Sequence, residues 1–410
     1  MGPKLGRLVA TVGAFAVVGS IGIAGVPRKG GGASELLYLG TESGVTALDP
    51  DTGQSVFSAR DAVAAGDWSL LVSAHAARSV VTSVNAIDPA TGRVLAATSA
   101  PGKLRVRTVS FHGDRVALMP REYGGGLGRA EGRTSTRIVL TGFDGALTRT
   151  LDVQANIEPE AFSADGSTLF VLQYKPPLHP DRYQVRQLDL ATGRLADIYT
   201  NDKDIQGDMQ GIARTQALAP DGSRLYTLYT KGAHEAFVHV LDLGAKVANC
   251  VDLPKPFGRS PRAMALATSP NGEHLYVADT EHGRIADVDT ASLKVTRAQR
   301  VRGLRLGGAD PAVAASDSAV YVAGGGKVAA LGTVAFHRFG TWRFGTSVRS
   351  LQLAGGEESE LYVAERRHIS VIDGRSGERM SRFQTPPGLG IRHVGYALPQ
   401  TSIGSYQCAC

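Results

Sequence analysis

The 410-residue sequence predicts an all-β protein, a β-propeller of eight four-stranded blades closed by its C-terminal strand. Three observations predict it. A corner motif recurs eight times, a second turn motif precedes most of the corners, and a strand missing at the start of the array is present at its end.

The corner reads as apolar-x-apolar-Asp, a short turn, then a second alternating run. Its instances are TALDPDTGQSV at Asp49, NAIDPATGRVL at Asp88, TGFDGALTRTL at Asp144 and RQLDLATGRLA at Asp189. HVLDLGAKVAN at Asp242, ADVDTASLKVT at Asp289 and SVIDGRSGERM at Asp373 continue the series, with a degenerate copy, AALGTVAFHRF, at Leu331. Asp, Thr and Gly supply the side-chain acceptor and the positive-φ position that hairpin turns use. The second motif is strand, Asp/Asn-Gly turn, strand, as in EAFSADGSTLFVLQY, QALAPDGSRLYTLYT and ALATSPNGEHLYVAD. Two hairpins per unit make four strands, and units in the forties have the length of a propeller blade. The first unit starts with its second strand at Leu36, and IRHVGYALP from Ile391 has no corner after it, so this last segment is expected to complete blade 1. Blade 2 looks short, with little room for a turn between SVVTS and VNAID, and blade 7 carries the degenerate corner; seven blades is the alternative if one unit fails.

The domain plan is a leader at residues 1–33, the propeller at 34–399 and a tail at 400–410. Lys4 and Arg7 precede an uncharged run over residues 8–26, which reads either as a signal peptide or as a signal-anchor helix spanning the membrane. Both place the body outside the cytoplasmic membrane. The net charge of +6 does not point to nucleic acid: Lys4, Arg7, Arg28 and Lys29 lie in the acid-free first 33 residues, and without them +2 remains. Three cysteines exclude a disulfide scaffold. Cys250 sits in an apolar strand context, and Cys408 and Cys410 fall in the tail.

LYVADTEHGRIADVDTASLKV from Leu275 and LYVAERRHISVIDGRSGERM from Leu361 resemble the bacterial YVTN-type propeller repeat, and the Asp-x-x-Thr-Gly corners are similar to quinoprotein repeats. The resemblance spans residues 35–398. It implies the fold, and a place among extracytoplasmic binding or scaffold proteins of bacteria. It implies no particular chemistry, because propellers host many functions.

Aligned on the turns, the starts of the inner strands bring Arg107, Arg214, Arg262, Arg349 and Arg392 toward one channel mouth, with Arg105, Gln216, Asp310 and His393. Converging guanidiniums suit a small carboxylate or phosphate ligand; the alternative is that they pair with Glu158, Glu160 and Asp310. Glu158 and Glu160, two apart on a strand, are expected to share a face and are the candidates for acid/base work in a lactonase or hydrolase. No His spacing suggests a metal set, and His234 and His239 read as exposed or structural. No cofactor is expected. A quinone-linked oxidoreductase is disfavoured because only Trp68 and Trp342 could dock blades and the body has no vicinal cysteine pair. Two insertions, residues 121–137 and 174–184, are candidate contact loops. The expected function is a monomeric, non-catalytic scaffold that binds a small anion or a protein, touching membrane only through its leader, with a lactonase-type hydrolase as the alternative.

Overall fold

In the most regular blades the second and third strands are almost wholly apolar and buried, as in Ala319–Gly324 and Lys327–Gly332. The fourth strand alternates outward, as in Arg338–Arg343. Strands buried on both faces must be stacked between other sheets, and those alternating with solvent must lie at a rim. A ring of radial sheets meets both demands. The computed structural model describes residues 35–396, apart from residue 42 and residues 77–79, 124, 127–128, 144–147, 201–207, 210, 232–234, 308–310, 355–359 and 386–389. Of residues 35, 125–126, 129–130, 212–214 and 390–396 only the backbone is described.

Eight antiparallel blades follow one another, inner strand first. The inner strands are Ala62–Ala64, Leu104–Val109, Ile157–Phe162, Ile212–Leu218, Met264–Thr268, Ala312–Ala315 and Ser350–Leu353 for blades 2 to 8. Blade 1 takes its inner strand from the C-terminal side: Gly390–Tyr396 pairs antiparallel with Glu35–Thr41, Leu37 facing Val394. That is the closure the array of repeats demanded, and it settles eight blades over seven. Blade 5 has a fifth strand, Tyr199–Thr200, running parallel to Val247–Asp252 at its rim. Apolar clusters fill the gaps between successive blades, for example Leu169, Val171 and Leu188 of blade 4 against Ala117, Met119 and Ile138 of blade 3.

Blade 2 departs from expectation. SVVTS and VNAID are not two strands; Val81–Ile87 runs through both, and its hairpin partner is Leu71–Ala76. A short 3-10 turn, Pro261–Ala263, precedes the inner strand of blade 6. No helix among the described residues is long and apolar enough to cross a membrane. The expected leader helix at residues 8–26, and Cys408 and Cys410, lie outside the described residues.

The corners are built as their residues require. At Asp373 the carboxylate accepts from the N–H of Ser376 at 2.7 Å and from its hydroxyl at 2.8 Å, and Gly377, at φ +75°, returns an N–H to the Asp373 carbonyl. The Trp342 ring of blade 7 packs against that glycine; a Cβ there would stand 1.9 Å from the indole nitrogen. Phe383 of blade 8 covers Gly53 of blade 1 in the same way. Blade docking by an aromatic over the next corner thus occurs with Phe as well as Trp. The degenerate corner keeps the backbone bond, Phe336 N–H to Gly332 carbonyl at 2.9 Å, without an acid to cap it.

Candidate functional site

Four inner strands carry one residue too many. In blade 3, Val106 pairs with Leu118 and Thr108 with Ala117, so Arg107 is extra. In blade 4, Pro159 and Ala161 pair with consecutive residues and Glu160 is extra. In blade 5 the extra residue is Arg214, and in blade 1 it is Arg392. A β-bulge re-aims the residue it adds and bends its strand. Each of the four extra residues is charged. The inner strands of blades 6, 7 and 8 pair without interruption.

The bulged inner strands of blades 3 to 5, with the three-residue inner strand of blade 2, wall a chamber of about 610 Å³ in the channel. Its lining runs from Arg105 to Ser110 and from Glu158 to Ser163, the whole length of two strands. Five steps at about 3.3 Å make it roughly 17 Å long. Trp68, Phe111, Leu172 and Leu218 supply apolar wall.

One end is rich in arginine. Glu158, 3% exposed, is held by two guanidiniums: the Arg107 Nη2 donates to Oε2, and Arg133 Nη2 to Oε1 at 2.9 Å. Arg133 also donates to the Ile157 carbonyl at 2.6 Å and lies over the Tyr123 ring at 4.7 Å. Arg105 donates to the Tyr123 carbonyl; burial, then the charge of Arg107, pulls its pKa down. Arg121 bridges Asp61 at 2.8 Å and the Ala74 carbonyl at 2.9 Å. Three buried guanidinium N–H groups, Arg105 Nε, Arg107 Nε and Arg133 Nη1, have no hydrogen-bond partner among the described residues.

Glu160 is placed differently. Its Oε1 accepts from Gln216 Nε2 at 3.1 Å, and Gln216 in turn donates to Thr227 Oγ1 at 3.0 Å. Its Oε2 is buried without a partner, and burial pushes its pKa up to about 7. Glu158 and Glu160 both line the chamber, but the bulge at Glu160 gives them different partners: the first is ion-paired to Arg107 and Arg133, the second is bonded to Gln216 of the next blade.

Of the five arginines expected at a common mouth, Arg107 lines the chamber. Arg214 and Arg392 occupy bulges, with only their backbone described. Arg262 lies exposed on the 3-10 turn before blade 6, and Arg349 is half-buried just before blade 8; neither lines the chamber. Asp310 lies outside the described residues. Arg133 and Arg121 were missed. Both come from the 121–137 insertion, whose arginine content was the available signal. The two insertions do meet: Arg133 N–H donates to the Pro177 carbonyl at 2.9 Å, and Asn156 Nδ2 donates at 2.9 Å to the carbonyls of both Glu131 and Pro177. His239, read from sequence as exposed or structural, stands within Glu235–Asp242 and is buried; His234 lies outside the described residues. No group of three or more His, Cys, Asp or Glu suited to a metal occurs among the described residues.

No family model and no curated protein matches the chain. Solved structures do. AztD from Citrobacter koseri aligns at 11% identity and a TM-score of 0.57, over 89% of this chain and 98% of that one. Dihydro-heme d1 dehydrogenase NirN aligns at 14% identity and a TM-score of 0.53, over 90% of this chain and 77% of that one. A putative 6-phosphogluconolactonase from Bacteroides fragilis aligns at 13% identity and a TM-score of 0.49, over 88% and 98%. At such identities the likeness is one of fold: the chain is an eight-bladed β-propeller with an arginine-ended chamber between blades 2 and 5.

Proposed function

We propose that this propeller reversibly binds an elongated organic anion in the chamber, outside the cytoplasmic membrane and without covalent chemistry. The carrying observation is the pair of unpartnered guanidinium N–H groups on Arg105 and Arg107, which line the chamber, with a third on Arg133, the partner of the lining Glu158. Buried donors are costly to leave unmade, and a native site that leaves several points to a group that completes them. A carboxylate or phosphate accepts from the planar guanidinium fork. The arginine end is lined by three guanidiniums, those of Arg105, Arg107 and Arg121, with Arg133 bonded to Glu158, against the two partnered carboxylates of Glu158 and Asp61. The apolar wall at Trp68, Phe111 and Leu218 suits the body of the ligand. The extracytoplasmic placement is supported by the basic start and apolar run of the leader.

Phenyl phosphate, benzoate and inorganic phosphate are the probes. Phenyl phosphate is expected to raise the melting temperature of the wild type by mass action, and the shift should vanish in Arg105→Gln. A shift that survives that substitution, or none from any probe, would sink the reading and turn attention to a protein partner at the joined insertions.

Hydrolysis of a lactone-type ester is a second reading, favoured by Glu160, whose raised pKa suits a general base acting on water near neutral pH. It requires turnover that Glu160→Gln abolishes while binding persists.

A further inference from the structure

Away from the channel, the crossing from blade 4 to blade 5 leaves a second cavity of about 290 Å³. Its origin is topological. The outer strand of blade 4, Leu195–Asp197, is only three residues long, and the chain then moves over to blade 5 as the parallel strand Tyr199–Thr200. The outer part of the gap between these blades is therefore bridged rather than packed. Val185, Ile198, Met209 and Ala248 supply apolar wall, and His239 closes the inner side.

His239 is the unusual member. It is 1% exposed, yet neither ring nitrogen has a hydrogen-bond partner among the described residues. The residues around it offer little. Thr227, opposite it on one neighbouring strand, is engaged by Gln216, and the Tyr229 ring meets it edge-on at 6.3 Å between centroids. Cys250 stands opposite on the other neighbouring strand. A buried imidazole with both nitrogens idle is costly, and its native setting should complete at least one of them.

We propose that this cavity is a second ligand site, which takes a small uncharged molecule with an apolar body and one hydrogen-bonding group held by His239. The choice of an uncharged ligand follows from the walls. Asp197, the one acid lining the cavity, is taken up by Arg186 at 3.1 Å and by Gln184 at 3.3 Å. His239 itself stays neutral, burial pulling its pKa down to about 4, so it offers one donor and one acceptor. A few placed polar groups in an otherwise apolar cavity are the usual makings of a small-molecule site. The site shares no lining residue with the chamber and does not depend on the anion-binding reading.

The test uses the full chain with 15N-labelled histidine. Phenol, indole and benzamide are the uncharged probes and benzoate the charged control. At least one uncharged probe is expected to move the His239 ring-nitrogen resonances saturably at millimolar concentration, and benzoate is expected to leave them unmoved. His239→Phe should weaken that probe at least tenfold. Ala248→Leu, which fills the cavity from the neighbouring strand of the same blade, should do the same while keeping the imidazole. Resonances unmoved by all three uncharged probes would show a cavity that holds water only and would overturn the proposal. So would a response to benzoate equal to that to benzamide, or undiminished binding in a folded Ala248→Leu variant.

Discussion

Glu160 is a chamber residue whose acidity is displaced from the ordinary. Its pKa rises from 4.5 to about 7 because burial disfavours the charged form. The folded chain therefore holds this proton more tightly than the unfolded one. Its contribution to stability is full below about pH 4.5, falls across the interval and is lost above about pH 7. In Glu160→Gln, which keeps an acceptor for Gln216, that decline should disappear, leaving the variant up to about 3 kcal/mol more stable than wild type at pH 8.5. Urea denaturation at pH 5, 7 and 8.5 measures it; parallel curves for the two proteins would refute the shift. Ionisation of Glu160 also adds negative charge to the chamber, so affinity for phenyl phosphate should fall as pH rises through 7. Arg133→Ala removes a partner of the buried Glu158 and three hydrogen bonds, and should cost about 3 kcal/mol, read from the denaturation midpoint. Sequence alone showed Arg107 and both glutamates as chemistry-bearing. It could not show that the glutamates serve different partners, because a bulge is a property of two paired strands and leaves no mark on one of them.

At the scale of the element, the corners were legible because their chemistry is local. Asp, Ser or Thr and Gly within five residues make the bonds seen at Asp49, Asp189 and Asp373. In Asp189 the hydroxyl and N–H of Thr192 hold the carboxyl below its usual range. The register of blade 2 was not legible, since Val81–Ile87 reads equally well as one long strand or two short ones. Gly53 is the sharpest test of corner packing. It sits at φ +69° with the Phe383 ring 2.4 Å from where a Cβ would be. Gly53→Ala should cost about 2 kcal/mol through both strain and overpacking. An unchanged melting temperature would show that the aromatic-over-glycine contact does not hold blades 8 and 1 together.

For the whole molecule, repeat counting foretold the ring and its closure, because each unit must bury its faces on its neighbours and an unfinished first unit requires a donor. The chamber was hidden. It depends on a short inner strand in blade 2, on three adjacent bulges and on an insertion bonded to the chamber wall, none of which the corner and turn motifs record. Truncation after Thr385 removes Gly390–Tyr396 and should leave Glu35–Thr41 without its partner. Limited proteolysis is expected to find blade 1 first in that variant, and equal resistance in both proteins would mean that the closing strand contributes nothing. The same pairing governs the order of birth of the fold. During translation Leu37 emerges early and must wait for Val394, almost the whole span of the ring, while its sheet edge stands open. Seven blades can stack on one another before the first is finished, so the growing chain passes through a long interval in which its most adhesive edge is also its oldest.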